Sequence, residues 1–285
     1  MRDSICQKHI RVSDNILRFL IYLSAAISVG ILIGIIGYVA FRGFGLISWE
    51  FLSSVTSELN GTFGIIGNIV NTLYIIVISL VIATPIGIGA AVYLTEYAKA
   101  GKIVRMIEFT TETLAGIPSI IYGLFGMAFF GITLKLKTSI LCGCLTLTIM
   151  VLPLIIRTTQ ESLKTVPLGY RTGALGIGAT KWYMIRTIIL PSALPGIVTA
   201  VILSVGRIVG ESAALLFTAG AGYYLPKHLF SHALKSGGTL TIQMYLSMER
   251  GEFDNAFGIA LVLVVIVLFI NALTKVITNN MKKSA

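Results

Sequence analysis

The sequence predicts an all-α polytopic membrane protein with six transmembrane helices. Hydrophobic residues make up 55% of the 285-residue chain and charged residues only 12%, and the mean hydropathy is +0.90. A soluble domain carries about 25% charged residues, so this chain has too little polar surface to face water on all sides. Apolar runs of roughly 20 residues, the length that crosses a bilayer, recur along the chain.

The apolar runs give the position of each span. We expect the six spans at about residues 17–41, 68–94, 107–130, 139–156, 188–217 and 257–277. The first run follows a basic N-terminus, but at roughly 25 residues it exceeds the apolar region of a signal peptide, which is about 7–15 residues. We therefore interpret it as the first membrane span.

The basic residues predict the orientation of the chain. Of the 22 Lys and Arg residues, 15 fall in the N-terminus, the segments 95–106 and 157–187 and the C-terminal tail, and six in the alternate segments. Because cytoplasmic segments are enriched in Lys and Arg, both termini are predicted to be cytoplasmic. A net charge of +10 would suggest a nucleic-acid partner in a soluble protein, but basic residues confined to short connections fit membrane topology, and no nucleic-acid partner is predicted.

The connection between spans four and five, residues 157–187, has helix-forming ends around a glycine turn. Gly173 and Gly178 have the spacing that begins a phosphate-binding loop, but Ala179 and Thr180 follow where that loop requires Lys and then Ser or Thr. The chain is therefore predicted to bind no nucleotide, and any ATP that drives its activity must be hydrolysed by another subunit.

Charged residues inside apolar runs are the candidate functional residues. A charge near the bilayer centre costs about 2.5–3.5 kcal/mol on insertion scales, and span five contains both Arg207 and Glu211. Their i, i+4 spacing predicts one helical face. Either they neutralise each other and hold helices together, or they line the path of an anion, in which a guanidinium suits phosphate oxygens and a carboxylate limits the strength of binding.

Two further charged residues are candidates for the same path. Glu112 lies in the first third of span three, where a helix-capping acid is the alternative role, and Arg157 ends span four, where an interfacial anchor is the alternative. Asn68 and Asn71 are expected to make interhelical hydrogen bonds rather than to bind a ligand.

Enzymatic and metal sites are not predicted. The cysteines and the histidines, among them His228 and His232, lack metal-binding spacing with other ligands. No catalytic combination of nucleophile, acid and base is recognisable, so we predict a non-enzymatic protein without a cofactor of its own. The segment 221–256 is expected to lie along the outer surface, where a substrate-delivery protein would dock.

Part of the chain resembles a known family. The 157–187 connection and the residues after it are similar to the EAA motif of ABC importer permeases, a match carried by Thr172, Gly173, Ala174, Gly178, Ile188, Leu190 and Pro191. Thr172 stands where the motif usually has Glu, and Gly173 stands at its first Ala. In that family the segment forms a coupling helix that docks on an ATPase subunit, and the resemblance assigns this role to Thr172, Gly173, Ala174, Leu175, Gly178 and Ala179.

Three further stretches narrow the resemblance. Residues 93–98, 112–126 and 206–220 together resemble the A-type permease of the phosphate-specific transport system, and the match extends over about residues 60–278. The resemblance implies an ABC importer type I permease domain at 68–278, after a cytoplasmic N-terminus (1–15) and a first helix with an external segment (16–67), and before a cytoplasmic tail (279–285).

The same resemblance implies the setting and the partners. It implies a bacterial inner-membrane complex with a second related permease subunit, two ATPase subunits that bind ATP and Mg, and an external phosphate-binding protein. It implies inorganic phosphate as the substrate and favours the pathway role for Arg207 and Glu211. A permease for another oxyanion, such as molybdate or sulfate, and an ATP-independent channel or carrier are the alternatives.

Overall fold

The computed structural model describes residues 12–57, 61–99, 101–225 and 229–284. Five long helices form the frame: α1 (Val12–Phe44), α3 (Ile66–Val92), α6 (Ile140–Thr165), α9 (Leu190–Val209) and α13 (Phe253–Ser284). Eight shorter helices lie between them: α2 (Trp49–Ser53), α4 (Lys102–Ala115), α5 (Ser119–Gly126), α7 (Leu168–Gly176), α8 (Lys181–Met184), α10 (Ala213–Thr218), α11 (Leu229–Ala233) and α12 (Leu240–Glu249).

Three π-helical stretches extend or connect these helices: Tyr93–Tyr97, Met127–Thr133 and Ile185–Ile189. A short antiparallel hairpin joins β1 (Val55–Ser57) to β2 (Thr62–Ile65). Within the described residues, five helices are long and apolar enough to cross a membrane, and there are six spans if α4 and α5 are counted as one bent span. The predicted all-α, multi-pass fold class is confirmed.

The third span is not the straight helix that the sequence predicted over 107–130. Helices α4 and α5 meet at a bend of 102°. Gly116 ends α4, and Pro118 cannot donate the backbone hydrogen bond that would continue it. The carbonyl of Leu114 accepts hydrogen bonds from the backbone N–H of Ile117 at 3.1 Å and from the hydroxyl of Tyr122 at 2.8 Å, and these take the place of the bond that Pro118 cannot donate.

The fifth span also differs from the prediction. The expected helix over 188–217 ends at Val209, with Gly210 as its C-cap, and α10 begins at Ala213. The Glu211 side chain accepts a hydrogen bond from the backbone N–H of Ala214 at 3.0 Å. A side chain that receives an otherwise unpaired N–H favours the start of a new helix, which explains why the apolar run contains two helices.

The core is built where α3, α6 and α9 pack together. Its fully buried members include Ile75, Leu147 and Ile155. Helix α1 packs against α13, where Arg42 lies 3.8 Å from Asp254, and its remaining surface is exposed. Exposed apolar surface of this extent on a long helix fits contact with lipid.

The segment 221–256 does not simply lie along the surface, as the sequence suggested. Its helix α12 buries Leu240, Ile242 and Gln243 in the bundle. The side-chain amides of Asn68 and Asn71 donate to the carbonyl of Gly238 at 3.0 and 3.3 Å. Asn71 also pairs with His232 of α11 through its Oδ1 at 2.7 Å, so one of the predicted interhelical hydrogen bonds is present, while the Gly238 acceptor lies in the connection before α12.

Candidate functional site

Three of the four predicted pathway residues line one cavity. The cavity has a volume of about 360 Å³ and lies between α4, α6 and α9. Helix α4 contributes Glu112, helix α6 contributes Arg157, and helix α9 contributes Arg207. The other lining residues are Thr111, Ala115, Met150, Pro153, Leu154 and Thr158. Two guanidinium groups and one carboxylate thus share a small space with hydroxyl and apolar groups.

A second cavity of about 420 Å³ shares Glu112 and Arg157 with the first. Its remaining lining is mostly charged or polar: Arg105, Glu108, Phe109, Gln160, Glu161 and Lys164. The two cavities meet at Glu112 and Arg157, and together they form a recess between the facing surfaces of α4 and α6. The first cavity has mainly apolar walls and the second mainly polar ones, and charged side chains of both signs line the recess.

The lining of the second cavity follows from helical spacing that the sequence interpretation had not used. Arg105, Glu108 and Glu112 are spaced i, i+3 and i+7 on α4, so they form one polar stripe. On α6 the residues Arg157 and Lys164 mark the ends of a matching stripe. The charge pattern within 102–112 could have revealed the first stripe, but not that it faces α6.

The two arginines differ in their partners. The guanidinium of Arg157 lies 3.3 Å from the carboxylate of Glu112 and 3.7 Å from that of Glu161. Arg207 is exposed to the cavity, and no described carboxylate lies within 4.0 Å of its guanidinium. Because a cation retains its full attraction for an anion when no carboxylate neutralises it, an anion entering the cavity would be attracted more strongly to Arg207 than to Arg157.

Glu211 does not share a face or a cavity with Arg207, as the i, i+4 spacing had predicted. The helix ends between the two residues, and the Glu211 carboxylate points to the N-terminus of α10, where it is 8% exposed. The neutralising pair with Arg207 is therefore not formed among the described residues, and a place for Glu211 along a substrate path stays a prediction. Glu112 supplies the carboxylate of the Arg207 cavity instead.

A smaller cavity of about 180 Å³ lies on the other side of this helix break. It is lined by Ile120, Ser212, Ala213, Leu216, Phe217, Ile242 and Tyr245. Its surface is mainly apolar and lacks a charged side chain, so it is unsuited to hold an anion.

The predicted coupling residues lie on and just after α7. Ala174 is buried against the ends of neighbouring helices, while Thr172, Gly173, Leu175 and Gly178 are exposed and Ala179 is half-buried. Gly178 has a φ of +87°, a conformation that glycine adopts without a steric penalty, so it allows the chain to turn towards α8. Large apolar side chains lie on and around α7 and the turn after it. Each of these is at least half exposed: Leu168, Tyr170, Ile177, Trp182 and Tyr183.

The described part of the chain has no group of three His, Cys, Asp or Glu side chains in metal-binding geometry. His228, one of the histidines considered in the sequence, lies outside the described residues.

Comparison with known proteins places the chain in a family. Residues 83–284 match the model of the binding-protein-dependent transport system inner membrane component. The chain belongs to this family of ABC transporter permeases. It is therefore a multi-pass inner-membrane subunit of an ABC importer, and the fold and family predicted from its motifs are confirmed.

Relatives and solved structures agree with this placement. The permease is 35% identical over 210 residues to the "Probable ABC transporter permease protein YqgI" of Bacillus subtilis, covering 74% of this chain and 71% of that protein. It is 33% identical over 227 residues to the "Phosphate transport system permease protein PstA 1" of Mycobacterium tuberculosis, covering 80% and 71%. A permease chain in the crystal structure of a bacterial alginate ABC transporter shares the fold, with a TM-score of 0.66, 17% identity and coverage of 94% and 98%.

Proposed function

We propose that this permease carries inorganic phosphate across the bacterial inner membrane, powered by ATP that a separate subunit hydrolyses with Mg. The observation that carries the proposal is the cavity in which Arg207 has no carboxylate partner among the described residues, while Arg157 and Glu112 are paired with each other across the same cavity. Relatives named as phosphate transport system permeases support the choice of anion.

The recess offers an anion two consecutive binding groups. In the cavity, Arg207 would attract the phosphate oxygens through its planar fork of N–H donors. Arg157, which α6 contributes to the same cavity, could receive the anion only by leaving Glu112 or Glu161, to which it is now paired. When the anion departs, these carboxylates would return to Arg157, and this exchange would keep binding weak enough for release.

Glu112 gives the recess a means of selecting phosphate. At neutral pH phosphate retains at least one P–OH group, which can donate a hydrogen bond to a carboxylate. Sulfate and molybdate have no such hydrogen and would meet only repulsion from Glu112. The carboxylate therefore favours a protonated oxyanion over a fully ionised one.

The remaining surfaces fit the partners of an importer. The exposed apolar residues around α7 would dock on an ATPase subunit, with Thr172, Leu175 and Gly178 at the contact. A second related permease would close the recess. A second ATPase subunit would pair with the first to hydrolyse ATP, and an external phosphate-binding protein would deliver the anion. Both termini would be cytoplasmic, which labelling of a terminal cysteine from each side of the membrane would test.

Reconstitution tests the proposal directly. The chain and its candidate partners are placed in proteoliposomes, and uptake of labelled phosphate is followed with and without ATP. We expect uptake that requires ATP and resists a large excess of sulfate or molybdate. Equal competition by those anions would make the protein a general oxyanion permease, and uptake that persists without ATP or the ATPase subunit would make it a channel or carrier.

A further inference from the structure

The coupling helix α7 is fastened to two membrane-spanning helices through one buried guanidinium. Arg171 lies on α7, and its Nε and Nη2 donate to Oε1 of Glu96 at 3.1 and 2.8 Å. Only 16% of the Arg171 side chain and 5% of the Glu96 side chain are exposed. The two residues are 75 positions apart in the sequence, so no local pattern predicts that they meet.

The same guanidinium also binds the end of α6. Its Nη1 donates to the carbonyl of Val166 at 2.6 Å and its Nη2 to that of Leu163 at 2.8 Å. These carbonyls belong to the last turn of α6 and its C-cap, where a helix has unpaired acceptors and favours a positive charge. Arg171 therefore joins α3, α6 and α7 at a single point.

The acidic partner lies in an unusual segment. Glu96 belongs to the π-helical stretch Tyr93–Tyr97 at the end of α3, and π-helical turns are frequent at functional sites. The next residue, Tyr97, contacts the chain that follows the glycine turn, because the Lys181 ammonium lies 5.0 Å from the centre of the Tyr97 ring. Two consecutive residues of one π-helical turn thus attach to the chain before and after the glycine turn at Gly178.

The remaining attachment of α7 is small. Ala174 is its only buried residue and presents a single methyl group to the neighbouring helices. A displacement of α7 would therefore reach α3 mainly through the Arg171 hydrogen bonds, and α6 through those bonds and the short chain link at Val166 and Pro167. Helix α6 leads from Leu163 back to Arg157, fewer than two helical turns away, which lines the anion recess.

We propose that Arg171 and Glu96 form a clamp that transmits the movement of the docked ATPase from α7 into α3 and α6, so that both are positioning residues for transport. The inference rests on the proposed function in assuming that α7 docks on an ATPase subunit. The clamp sets how many substrate ions cross for each ATP hydrolysed, and it makes no contact with the substrate.

A variant in which both members of the ion pair are uncharged, the neutral pair, separates a role in transmitting movement from a purely structural role. Removing one partner of a buried ion pair leaves an unpaired charge and destabilises the fold, whereas replacing both charges avoids that penalty. The variant to test is therefore Glu96→Gln with Arg171→Gln in the same chain, with Arg171→Lys beside it because lysine keeps the charge and loses the planar fork. Lys99→Gln is the matched control, since Lys99 is an exposed charge at the same junction.

Two readouts are taken on the assembled complex in proteoliposomes. The first is the ratio of phosphate imported to ATP hydrolysed, which we expect to fall at least fivefold in the neutral pair while the control keeps the wild-type ratio. The second is independent of substrate: ATP should change the rate at which a water-soluble reagent labels Ala115→Cys in the recess, and the neutral pair should remove that change.

The outcomes are distinct. A neutral pair that assembles with wild-type thermal stability and retains both the transport ratio and the ATP-dependent labelling would overturn the clamp. An Ala115→Cys complex with native Arg171 and Glu96 that is labelled in an ATP-dependent way but imports no phosphate would overturn the proposed substrate. Loss of that ATP-dependent labelling in the neutral pair would then support the clamp, and its persistence would overturn the clamp. If the neutral pair does not assemble, Arg171→Lys supplies the same two measurements.

Discussion

At the scale of single residues, Arg207, Arg157 and Glu112 come from three different helices and line one cavity. Each was a candidate in the sequence because a charge in or at the end of an apolar run is costly and therefore has a reason to be there. Their convergence on one cavity depends on how α4, α6 and α9 pack, which no local pattern encodes. Glu211 was misplaced because the i, i+4 rule holds only inside a continuous helix, and α9 ends at Val209.

Substitution of Glu112 tests whether its carboxylate selects phosphate over sulfate. Glu112→Gln keeps the size of the side chain but replaces an acceptor-only carboxylate with an amide that can also donate hydrogen bonds. Sulfate should then compete with phosphate roughly tenfold more strongly, a change of about 1.4 kcal/mol. The measurement is inhibition of phosphate uptake by sulfate, with Glu108→Gln as the control because Glu108 lines only the second cavity. Unaltered discrimination would exclude Glu112 from selection.

We expect His232 to make the stability of the fold depend on pH. Burial, reinforced by Lys235, lowers the pKa of His232 below the ordinary value of 6.5. Its Nε2 lies 2.7 Å from Oδ1 of Asn71. Because the fold favours the neutral ring, its contribution to stability is complete above pH 6.5 and is lost as the pH falls from there towards the lowered pKa.

We therefore expect the thermal stability of the complex to decrease as the pH is lowered below about 6.5 and the decrease to be smaller in His232→Gln. Denaturation followed between pH 5 and 7.5 provides the measurement. A variant whose stability depends on pH as strongly as the wild type would show that another group is responsible.

At the scale of helices and strands, apolar length predicted where the spans lie, and local chemistry decided where they break. Spans one, two, four and six were placed close to α1, α3, α6 and α13 because their apolar runs are long and uninterrupted. The bend at Gly116 and Pro118 and the break at Gly210 could not be predicted by length alone. Proline and glycine occur in many spanning helices without breaking them, because neighbouring groups satisfy the freed backbone.

Close packing of α5 on α10 supplies a test at this scale. A Cβ atom at Gly123 would lie 2.8 Å from the backbone Cα of Ala214, which cannot move aside like a side chain. Gly123→Ala should therefore destabilise the assembled protein by about 1–3 kcal/mol, the usual cost of overpacking. Gly89→Ala is the control, since a Cβ atom there meets nothing within 4 Å. Equal melting temperatures for the two variants would contradict the packing of α5 on α10.

At the scale of the whole molecule, the recess between α4, α6 and α9 and the exposed apolar surface around α7 lie at different places, and α6 runs between them. Arg171 hydrogen-bonds α7 to the end of α6. The family resemblance implies a substrate path and a docking surface for an ATPase subunit, and both stay predictions. The connection through Glu96 could not be predicted from the sequence, since residues so far apart meet only in the folded chain.

The central claim is that an unpaired guanidinium in the recess binds the transported anion. Arg207→Gln in the reconstituted complex tests it most directly, with ATP-dependent uptake of labelled phosphate as the readout and Arg18→Gln, an exposed residue of α1, as the control. A charged hydrogen bond contributes about 1.5–3 kcal/mol, so uptake should fall by about 10- to 100-fold while subunit assembly is unchanged. Phosphate uptake by the assembled Arg207→Gln complex at the rate of the control would contradict the claim.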